Sequence, residues 1–572
     1  MKQLKSGVAA AALALVLSGP AMAGGELIRL GTVSFKAEVT GLVVNDLGEL
    51  FFNAQHPENK GEVIDNGPAA IVGYVAGIDL TDYTGPGMAV PAEDARHAVH
   101  SVGEYVVLAK TGDRLGDGTQ FGGVYARDGS LMWLSNDVDY NAFVRLSPTE
   151  AYLYTAFEGA SRKGVSTVTR LKLIRRDGRW HTDLAASGTI DLSSIEGAWV
   201  LCYGSTTPWG SELLAEEYYF FNTALWNHPA NHDEDERPGF AGGNDVSYHM
   251  PKMMDRYLGR ASNPYRYGYM IEMSETTSPT PRLVRHYTMG RLSHENGAVM
   301  GDGRTVYLTD DDSPKYTNAK YNSNSGGVLF KFVADRPRDL SSGTLYAARA
   351  VQDEGSDPRT TGFSIEWIEL AHGDNATIAH WIAEYEGITP ADYVEGQTSY
   401  ISDADVWNWA EGKTGKDLNG DGTIGSYPDD RVAFLESRKA AAALGATYEW
   451  NKMEGITSDG ENVYLSMSEI AISMDRKWGH APWNTGARDE NDPGVIALDA
   501  EGCGGVYKAP IEADYNISRL EPLVVGRSIE KGCDPDGIAN PDNVLAFSGG
   551  LIIGEDAGPK MHPVDMVWLL KN

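Results

Sequence analysis

The stretch Gly297–Asp312, GAVMGDGRTVYLTDDD, combines an apolar segment, a turn that contains Gly, and a second apolar segment that ends in acidic residues. Two related stretches follow it, Gly455–Glu469 (GITSDGENVYLSMSE) and Asn543–Asp556 (NVLAFSGGLIIGED). Each stretch predicts an antiparallel hairpin of two strands. Because recurring hairpins with similar endings are typical of radially repeated sheets, the three stretches together predict a β-propeller.

The rest of the chain favours an all-β fold. Short β-rich segments alternate with Gly, Asp, Asn and Pro along most of it. The clearest helix is Asp429–Leu444 (DDRVAFLESRKAAAAL), which starts with acidic residues and is followed by Gly445. The hairpins are irregularly spaced, so long loop and helical insertions must separate them, near residues 225–262 and 370–450. We therefore predict a single propeller domain over residues 24–572.

The charge of the chain limits its partners. Its 572 residues include 48 Lys and Arg against 80 Asp and Glu, a formal net charge of −32. A surface this acidic repels nucleic acid and anionic lipid, so neither is an expected partner. The charge suits a protein that collects cations, although a solvated acidic surface is the more common explanation of such a balance.

The N-terminus has the features of an export signal. Two Lys precede an apolar run, Val8–Leu17, and the small residues in Ala21–Ala23 provide a cleavage site. Twin arginines are lacking, which indicates the Sec type. The apolar run is too short to span a bilayer, and the sequence has no later apolar stretch of about 18 residues. We therefore predict a signal peptide over residues 1–23, a periplasmic or secreted location, and no membrane insertion.

Three cysteines make an odd count for an exported protein. Cys503 and Cys533 both adjoin Gly in turn-rich surroundings, and a disulfide between them is the simplest interpretation in an oxidising compartment. Cys202 is then left over. It is either a buried, inert thiol, the commonest state of a free cysteine, or a thiolate that binds a metal ion.

A short loop between residues 417 and 424, DLNGDGTI, has the spacing of a calcium site. Oxygen ligands at the first, third and fifth positions, Gly at the sixth and a backbone carbonyl at the seventh are typical of an EF-hand loop. The expected ligands are Asp417, Asn419, Asp421 and Thr423. The twelfth position is Pro428 instead of Glu, so the shell is partial. The alternative is an Asx-rich turn without an ion.

Several acidic residues adjoin Gly, Pro or Asn at the ends of predicted strands. A propeller brings such strand ends together around its central channel. Carboxylates gathered there without cations would repel one another and raise each other's pKa, and a polyvalent metal cluster would remove that penalty. The alternative for any single residue is a turn cap or a surface charge. The stretches concerned are 202–217 (CYGSTTPWGSELLAEE), 293–298 (SHENGA), 449–456 (EWNKMEGI) and 540–545 (NPDNVL).

These motifs occur in the order found in the PhoX-type alkaline phosphatases, which the chain resembles from about residue 161 to its end. Single motifs are short, but the ordered set is specific. The landmarks are Cys202, Thr207–Gly210 (TPWG), the pair Glu216 and Glu217, Asn263–Gly268 (NPYRYG), Gly290–Glu295 (GRLSHE), Tyr307–Asp311 (YLTDD), Leu329–Val333 (LFKFV), Asn451–Glu454 (NKME), Asn540–Asn543 (NPDN), and the pair Glu555 and Asp556.

The resemblance implies a secreted propeller of six blades with a cluster of Fe³⁺ and Ca²⁺ in its channel. Cys202 would supply a thiolate to iron, which would answer the question of the odd cysteine. Acidic residues would bind or bridge the other metal ions. The implied ligands are Cys202, Glu217, Glu295 and Glu454, with Asp310 and Asp542 as further candidates on the calcium side.

The resemblance also implies two catalytic residues, Lys452 and Glu454. Most family members carry Arg where this chain has Lys452, and that cation would clamp the phosphate. Lys keeps the charge but loses the bidentate fork of a guanidinium group. Other positions differ from the family pattern as well, since Leu201 and Asn296 replace Asn and Gly, and Glu158 is the only match to an expected Asn-His-Glu run.

The sequence therefore predicts a secreted, metal-dependent phosphomonoesterase that acts on small-molecule phosphate esters. A phosphomonoester brings about two negative charges into an acid-lined channel, and only a multiply charged metal cluster can reverse that field. Two alternatives stay open. One is a calcium-binding extracellular propeller that binds a ligand or partner with little catalysis. The other is a different metal-dependent propeller hydrolase, such as a lactonase or a diesterase.

Overall fold

The computed structural model describes residues 25–60, 63, 67–159, 164–217, 223–232, 250–311, 327–477 and 495–571. The fold is mostly β, with 42% strand and 15% helix, as the sequence predicts. Gly and Asx turns close most of the short connections between strands, because these residues adopt the required backbone angles at little cost. The predicted signal peptide, residues 1–23, lies outside the described residues.

The strands, in chain order, are β1 Glu26–Thr32, β2 Glu38–Val44, β3 Leu50–Gln55, β4 Ile71–Ala76, β5 His100–Ser101, β6 Glu104–Lys110, β7 Gly123–Tyr125, β8 Leu131–Leu134, β9 Val138–Ser147, β10 Glu150–Phe157, β11 Thr167–Arg176, β12 Arg179–Thr189, β13 Leu201–Thr206, β14 Glu212–Glu216, β15 Met270–Ser274, β16 Arg282–His286, β17 His294–Val299, β18 Thr305–Asp310, β19 Phe330–Arg336, β20 Asp339–Gln352, β21 Phe363–Asp374, β22 Met453–Ser458, β23 Asn462–Met467, β24 Gly505–Pro510, β25 Arg519–Val525, β26 Pro541–Phe547, β27 Gly550–Glu555 and β28 Met566–Lys571. The α-helices are α1 Met250–Leu258, α2 Asn375–Ala383, α3 Asp403–Thr414, α4 Arg431–Leu435, α5 Ser437–Ala443 and α6 Gly558–Met561.

The sheets have a propeller-like arrangement. Three of them are four-stranded, in the orders β2-β3-β4-β6, β12-β11-β10-β9 and β13-β14-β15-β16. A nine-stranded sheet runs from β17 to β22 through β18-β19-β20-β21-β25-β24-β23. A fifth sheet, β26-β27-β28-β1-β5, contains both ends of the chain, because β1 pairs with β28 from Glu26 opposite Lys571 to Thr32 opposite Met566. A separate pair, β7-β8, completes the set.

One end strand of each four- or five-stranded sheet, and both end strands of the nine-stranded sheet, lie innermost in the fold. These innermost strands are β2, β9, β13, β17, β22 and β26, where the nine-stranded sheet contributes both of its ends. Each contacts two others of the set, in the circular order β2, β9, β13, β17, β22, β26 and back to β2. The starts of the innermost strands therefore surround a common central region.

The three predicted hairpins are confirmed. They are formed by β17 with β18, β22 with β23, and β26 with β27, and all three pair antiparallel. Each hairpin places its first strand among the innermost strands, which explains why the three stretches resemble one another. The predicted disulfide between Cys503 and Cys533 is also present, and Cys202 is free and buried.

The predicted helix Asp429–Leu444 is divided into α4 and α5 at Glu436. The side chain of Glu436 is buried and accepts hydrogen bonds at 2.8 Å from the hydroxyl groups of Thr223 and Tyr265. The backbone of Glu436, with φ −130° and ψ 47°, is not helical. A tertiary contact of one side chain therefore interrupts a helix that local propensity would continue.

The helices between β21 and β22 are joined to the sheets by a shared hydrophobic core. Phe434 of α4 and Ile378 of α2 pack with Phe332 and Leu345 of the long sheet. The other predicted insertion, residues 225–262, is described at 225–232 and 250–262, and its acidic residues 233–236 lie outside the described residues. In the described part of the chain, no helix is long and apolar enough to cross a membrane.

Candidate metal centre

Acidic and thiol side chains stand at the start of the innermost strands. The second residue of five of these strands is a carboxylic acid or a cysteine, and β2 begins with Glu38. In those five strands the pairing register of the hairpin shifts at this position, for example between Leu201 and Gly204 and between His294 and Gly297. Such bulges re-aim a side chain out of the pleat. We name as the inner ring Glu38, Asp139, Cys202, Glu295, Glu454 and Asp542.

Two groups of the inner ring have the spacing of metal sites. Ligand atoms of Asp139, Cys202 and Glu295 lie within 4.8 Å of one another. The same holds for Glu295, Glu454 and Asp542, so Glu295 belongs to both groups. All five residues are buried, and the Cys202 thiol donates a hydrogen bond to Asp139 Oδ2 at 2.8 Å. Each of the two groups would be able to hold a metal ion, and Glu295 would contribute an oxygen to both.

A second ring of side chains borders the first. The residue that directly follows the second strand of each hairpin comes back beside the start of the innermost strand, because the two strands are antiparallel. In this ring, the side chains of Glu158 and Glu217 are partly solvent-accessible, and that of Asp556 is exposed. We name as the second ring His56, Glu158, Glu217, Asp311, Ser468 and Asp556.

Burial and mutual repulsion raise the pKa of the clustered acids. Burial and the charges of Asp311, Glu454 and Asp139 raise the pKa of Glu217 to about 8, although Lys452 opposes the shift. Burial raises the pKa of Glu454 to about 7, although a hydrogen bond from Lys452 counteracts the shift. Burial also raises the pKa of Asp139 to about 7, although a hydrogen bond from Cys202 counteracts that shift. The pKa is also raised, first by burial and then by neighbouring carboxylates, at Glu38, Glu158, Glu295 and Asp542.

The donor groups are suited to binding cations. Three buried carboxylate oxygens, Asp139 Oδ1, Glu295 Oε1 and Asp542 Oδ1, have no hydrogen-bond partner among the described residues. A buried acceptor without a partner is costly, and a cation is the partner that would satisfy several of them together. Burial and the nearby carboxylates also raise the pKa of Cys202, so only a bound cation would keep this thiol ionised. A thiolate suits a transition metal ion, and carboxylates alone suit a hard cation such as calcium.

Lys452 places a positively charged ammonium group beside the two rings. Its Nζ lies 2.6 Å from Asp311 Oδ2 and 2.7 Å from Glu454 Oε1, while Ser468 donates to the same Glu454 oxygen at 2.9 Å. Burial lowers the pKa of Lys452, but the two carboxylates outweigh this effect and hold the pKa well above its usual value. Its backbone has a left-handed φ of 54°, a strained state for a non-Gly residue.

The structure does not bring Asp310 to the rings, in contrast to the sequence-based expectation. Its carboxylate pairs with buried Arg438 and accepts from the backbone N–H of Ser293 at 3.0 Å and of Val328 at 3.1 Å. Successive side chains of a strand point to opposite faces, so the next residue, Asp311, faces the cluster in its place. Asp311 therefore replaces Asp310 among the residues of the candidate centre.

The last residue of the second strand has a structural role in three hairpins. Glu216, Asp310 and Glu555 each accept a hydrogen bond from a backbone N–H in the segment that leads into the innermost strand. Glu216 is additionally paired with buried Arg285 at 2.7 Å. These carboxylates hold the start of the innermost strand in place and thereby position the inner-ring side chain.

The loop with EF-hand spacing lies elsewhere, between α3 and α4. Asp417 accepts from the backbone N–H of Gly420 and Gly422, at 2.7 and 2.9 Å, and Asp421 accepts from Thr423 at 2.8 Å. The loop is mostly exposed, and it contributes no residue to either ring. It is therefore separate from the candidate metal centre.

The sequence motifs did not include three ring residues: Glu38, His56 and Asp139. All three precede the region where the sequence resembles a known family. A sequence signal was nevertheless present, because each inner-ring residue is followed, at the other end of the same hairpin, by a polar second-ring residue. Glu38 with His56, Asp139 with Glu158 and Cys202 with Glu217 are three such pairs, 18, 19 and 15 residues apart.

The fold and the site define a propeller-like β-protein with a candidate metal centre at the start of its innermost strands. Residues 179–567 match the model of the family described as alkaline phosphatase PhoX. The chain therefore belongs to the alkaline phosphatase PhoX family, as its ordered motifs predicted. Membership supports a phosphatase function. No curated protein matches the chain significantly.

Solved structures with distant similarity belong to several enzyme classes. A putative oxidoreductase (glucose dehydrogenase) from Thermus thermophilus is 10% identical, with a TM-score of 0.36 over 96% of this chain and 100% of that chain. An exo-1,5-alpha-L-arabinanase from a bovine ruminal metagenomic library is 10% identical, with a TM-score of 0.23 over 60% and 92%. B. subtilis levansucrase is 10% identical, with a TM-score of 0.24 over 56% and 79%. At such TM-scores none of them supports a conclusion about this protein.

Proposed function

We propose that the protein is a metal-dependent phosphomonoesterase that holds iron and calcium at its inner ring. The observation that carries the proposal is the convergence of a buried thiol and of buried carboxylates that each have one oxygen without a hydrogen-bond partner among the described residues, in a member of a phosphatase family. Iron would be held by Cys202, Asp139 and Glu295. Calcium would be held by Glu295, Glu454 and Asp542, with Glu217 at the edge of the cluster.

Bound iron and calcium would supply positive charge for the phosphoryl oxygens and favour ionisation of an attacking water. Residues of the chain bind the phosphate and orient the charged groups around it. Lys452 binds a phosphate oxygen as a point charge, and Asp311 and Glu454 hold its ammonium group in place. Ser468 keeps Glu454 oriented through its hydroxyl hydrogen bond. The inner-ring carboxylates are buried, which strengthens the charge interactions among them.

We also infer that the propeller has six blades. Six innermost strands contact one another in one closed circle, which supports this number. The nine-stranded sheet would then be two blades, joined where β21 meets β25 over only two pairs, Phe363 with Leu520 and Ser364 with Arg519. In this interpretation β28 and β1 close the last blade with strands from both chain ends.

The proposed function is tested by elemental analysis of the purified exported protein together with hydrolysis assays. We expect iron and calcium to co-purify with the protein and p-nitrophenyl phosphate to be hydrolysed. Bis-p-nitrophenyl phosphate and a γ-lactone serve as substrates for the diesterase and lactonase alternatives. A protein that contains only calcium and hydrolyses none of the three would be a binding propeller, and the proposal would fail.

We further propose that residues 1–23 are removed on export to the periplasm or medium.

Changing Lys452 tests the proposed phosphate clamp. Lys452→Ala should lower kcat/KM for p-nitrophenyl phosphate by about 10-fold or more, because a charge-assisted contact to the phosphate is lost. Lys452→Arg should preserve or raise turnover. Lys439→Ala is the matched control, since Lys439 also lies between two carboxylates, Asp403 at 2.9 Å and Glu436 at 3.9 Å, but outside both rings. Equal turnover in all the Lys452 forms would exclude the clamp.

We propose that the loop around Asp417 and Asp421 binds a separate, structural calcium ion. The double variant Asp417→Ala with Asp421→Ala should melt at a lower temperature than the wild type in calcium and at the same temperature in chelator. Calcium at 100 times its Kd would account for about 2.7 kcal/mol of stability. Asp459→Ala, which removes an ordinary turn contact to Glu461 and Asn462, controls for loss of an Asx turn. Losses of the same size in both media would contradict the calcium site.

A further inference from the structure

One asparagine connects the start of β26 to three neighbouring segments. Asn540 directly precedes β26 and is buried. Its backbone N–H donates to the carbonyl of Cys503 at 2.9 Å, and its backbone carbonyl accepts from the N–H of Asp556 at 3.1 Å. Its side-chain Nδ2 donates to the carbonyls of Ser468 at 2.8 Å and Gly502 at 3.2 Å. These four hydrogen bonds fix the backbone two residues before the inner-ring position of β26.

The backbone of Asn540 has a conformation that recurs in the fold. Its φ is 42°, and Val200 and Lys452 have φ values of 41° and 54°. Each of the three lies two residues before an inner-ring residue. Asn adopts the left-handed region more readily than most other residues. A left-handed turn at this position therefore belongs to the local structure that aims an inner-ring side chain, and in β26 an asparagine forms it.

A disulfide holds the loop to which Asn540 is bonded. Cys503 and Cys533 are both buried, and their bond joins the loop before β24 to the connection between β25 and β26. That connection, residues 526–540, is described throughout and contains no helix or strand. A segment of this length without regular structure keeps high conformational freedom unless it is tied down. The disulfide therefore restricts the segment that ends at Asn540.

Asn540 is linked to two of the carboxylates that could hold a metal ion. We name Glu295, Glu454 and Asp542 the second cation group, since their ligand atoms lie within 4.8 Å of one another. Asp542 follows Asn540 by two residues. Ser468, whose carbonyl accepts from Asn540, donates from its hydroxyl group to Glu454 Oε1 at 2.9 Å. The contacts of one asparagine therefore bear on the placement of both Asp542 and Glu454.

We propose that Asn540, braced by the Cys503–Cys533 disulfide, is a positioning residue for the second cation group. This inference rests on the proposed function, in which that group holds calcium. Calcium is bound by several oxygen atoms, and its affinity depends on the rigidity of the site that presents them. Asn540 and the disulfide supply this rigidity on the side of β22 and β26. Disulfides persist in oxidising compartments, so such a brace suits a centre that is completed after export.

The other candidate group is held by different contacts. Asp139, Cys202 and Glu295 form this first cation group, and only Glu295 belongs to both groups. The segment before Cys202 is held by Glu216, which accepts from the backbone N–H of Trp199 at 3.0 Å. Removing the contacts of the second group should therefore weaken calcium binding and leave the iron content near the wild-type level. A general loss of stability would instead weaken both groups.

The experiment measures iron content and calcium affinity in two variants of the full chain. Asn540→Gly keeps the left-handed backbone accessible and removes both side-chain hydrogen bonds. Cys503→Ala with Cys533→Ala removes the brace and leaves Cys202 as the only cysteine. Calcium is removed with EGTA and titrated back. We expect the Kd for calcium to rise by about 10- to 100-fold in both variants, the usual cost of losing a group that orients a metal ligand. Excess calcium should restore hydrolysis of p-nitrophenyl phosphate.

Two further changes isolate the second cation group. Every form carries Asp417→Ala with Asp421→Ala, so that the separate calcium loop does not contribute to the titration. Asn263→Gly is the matched control, because Asn263 is also buried and its Nδ2 donates to the carbonyl of Ile382 at 2.9 Å and to Glu386 at 3.2 Å. It lies outside both rings. We expect this control to melt at a lower temperature and to bind calcium with the wild-type Kd.

The outcomes separate the two proposals. A wild-type protein that holds neither iron nor calcium would refute the proposed function itself. If the wild type holds both, an unchanged calcium Kd in either variant would overturn the inference. Equal losses of iron and calcium with a lower melting temperature would show that Asn540 and the disulfide only support the fold, and would overturn it too. Retained iron, weaker calcium binding and activity recovered in excess calcium would support it. Should the cysteine variant not fold, Asn540→Gly alone decides.

Discussion

Replacement of Cys202 by Ala should remove iron from the protein and reduce hydrolysis of p-nitrophenyl phosphate by at least about 10²-fold. Loss of a residue that only supports a metal ligand already costs about 10- to 100-fold, and loss of a ligand should cost more. Cys202 is the one sulfur in either ring among the described residues, and its ligand atom lies within 4.8 Å of those of Asp139 and Glu295. The measurements are elemental analysis and kcat/KM.

A second variant separates the thiolate from the packing of the side chain. Cys202→Ser keeps the volume and can still donate to Asp139, but its hydroxyl group is a much weaker ligand for iron. It should therefore resemble Cys202→Ala in iron content while melting near the wild-type temperature in chelator. Removing Cys202 leaves the Cys503–Cys533 disulfide intact, so thiol exchange does not complicate the comparison. Full iron content and full activity in both variants would leave Cys202 as an inert buried thiol.

The hairpins were predictable because their information is local. A turn with Gly and two apolar runs are enough to define β17 with β18 or β22 with β23. The pairing of β1 with β28 was not predictable, because it joins residues from opposite ends of the chain and has no local signal. The interruption of the helix at Glu436 has the same origin, since Thr223 and Tyr265 are distant in sequence.

The site was predictable only as far as its motifs were specific. Cys202, Glu217, Glu295, Glu454 and Asp542 all reach the rings. The sequence does not show whether Asp310 or Asp311 faces the channel. Neighbouring residues of a strand point to opposite faces, and both candidates at the end of β18 are acidic, so their residue types do not identify the inward face. In the sequence, Glu38 and Asp139 do not differ from other acidic residues beside turns. Only the folded propeller brings them to the ring.

The metal-free protein should lose stability as the pH rises from about 6.5 to about 9. Several ring carboxylates have a raised pKa in the folded state, about 7 for Asp139 and Glu454 and about 8 for Glu217. Unfolded carboxyl groups titrate near about 4. The folded state therefore holds more protons than the unfolded state in this window, and the free energy of unfolding falls with increasing pH. At about 1.4 kcal/mol per pH unit and group, the loss is about 3 kcal/mol over this range.

The pH window and the comparison are chosen to isolate the cluster. Burial lowers the pKa of His294 to about 4, and this opposes the effect, since it stabilises the protein as the pH rises towards about 6.5. Burial raises the pKa of Glu212, outside both rings, to about 7, and this adds to the effect. Neither His294 nor Glu212 is a proposed metal ligand. The quantity to measure is therefore the difference in melting temperature between the metal-loaded and the chelated protein at each pH.

This difference should widen steadily from pH of about 6.5 to about 9, because bound cations stabilise the ionised carboxylates that repel one another in their absence. Glu217→Gln should reduce the widening, since it removes the carboxylate that titrates near about 8. Glu366→Gln is the control, because Glu366 is an exposed acid on β21, outside both rings, that pairs with Arg349 at 3.7 Å. A difference that stays constant with pH in the wild type would mean that the ring carboxylates do not hold the metal ions, and the proposed centre would have to be abandoned.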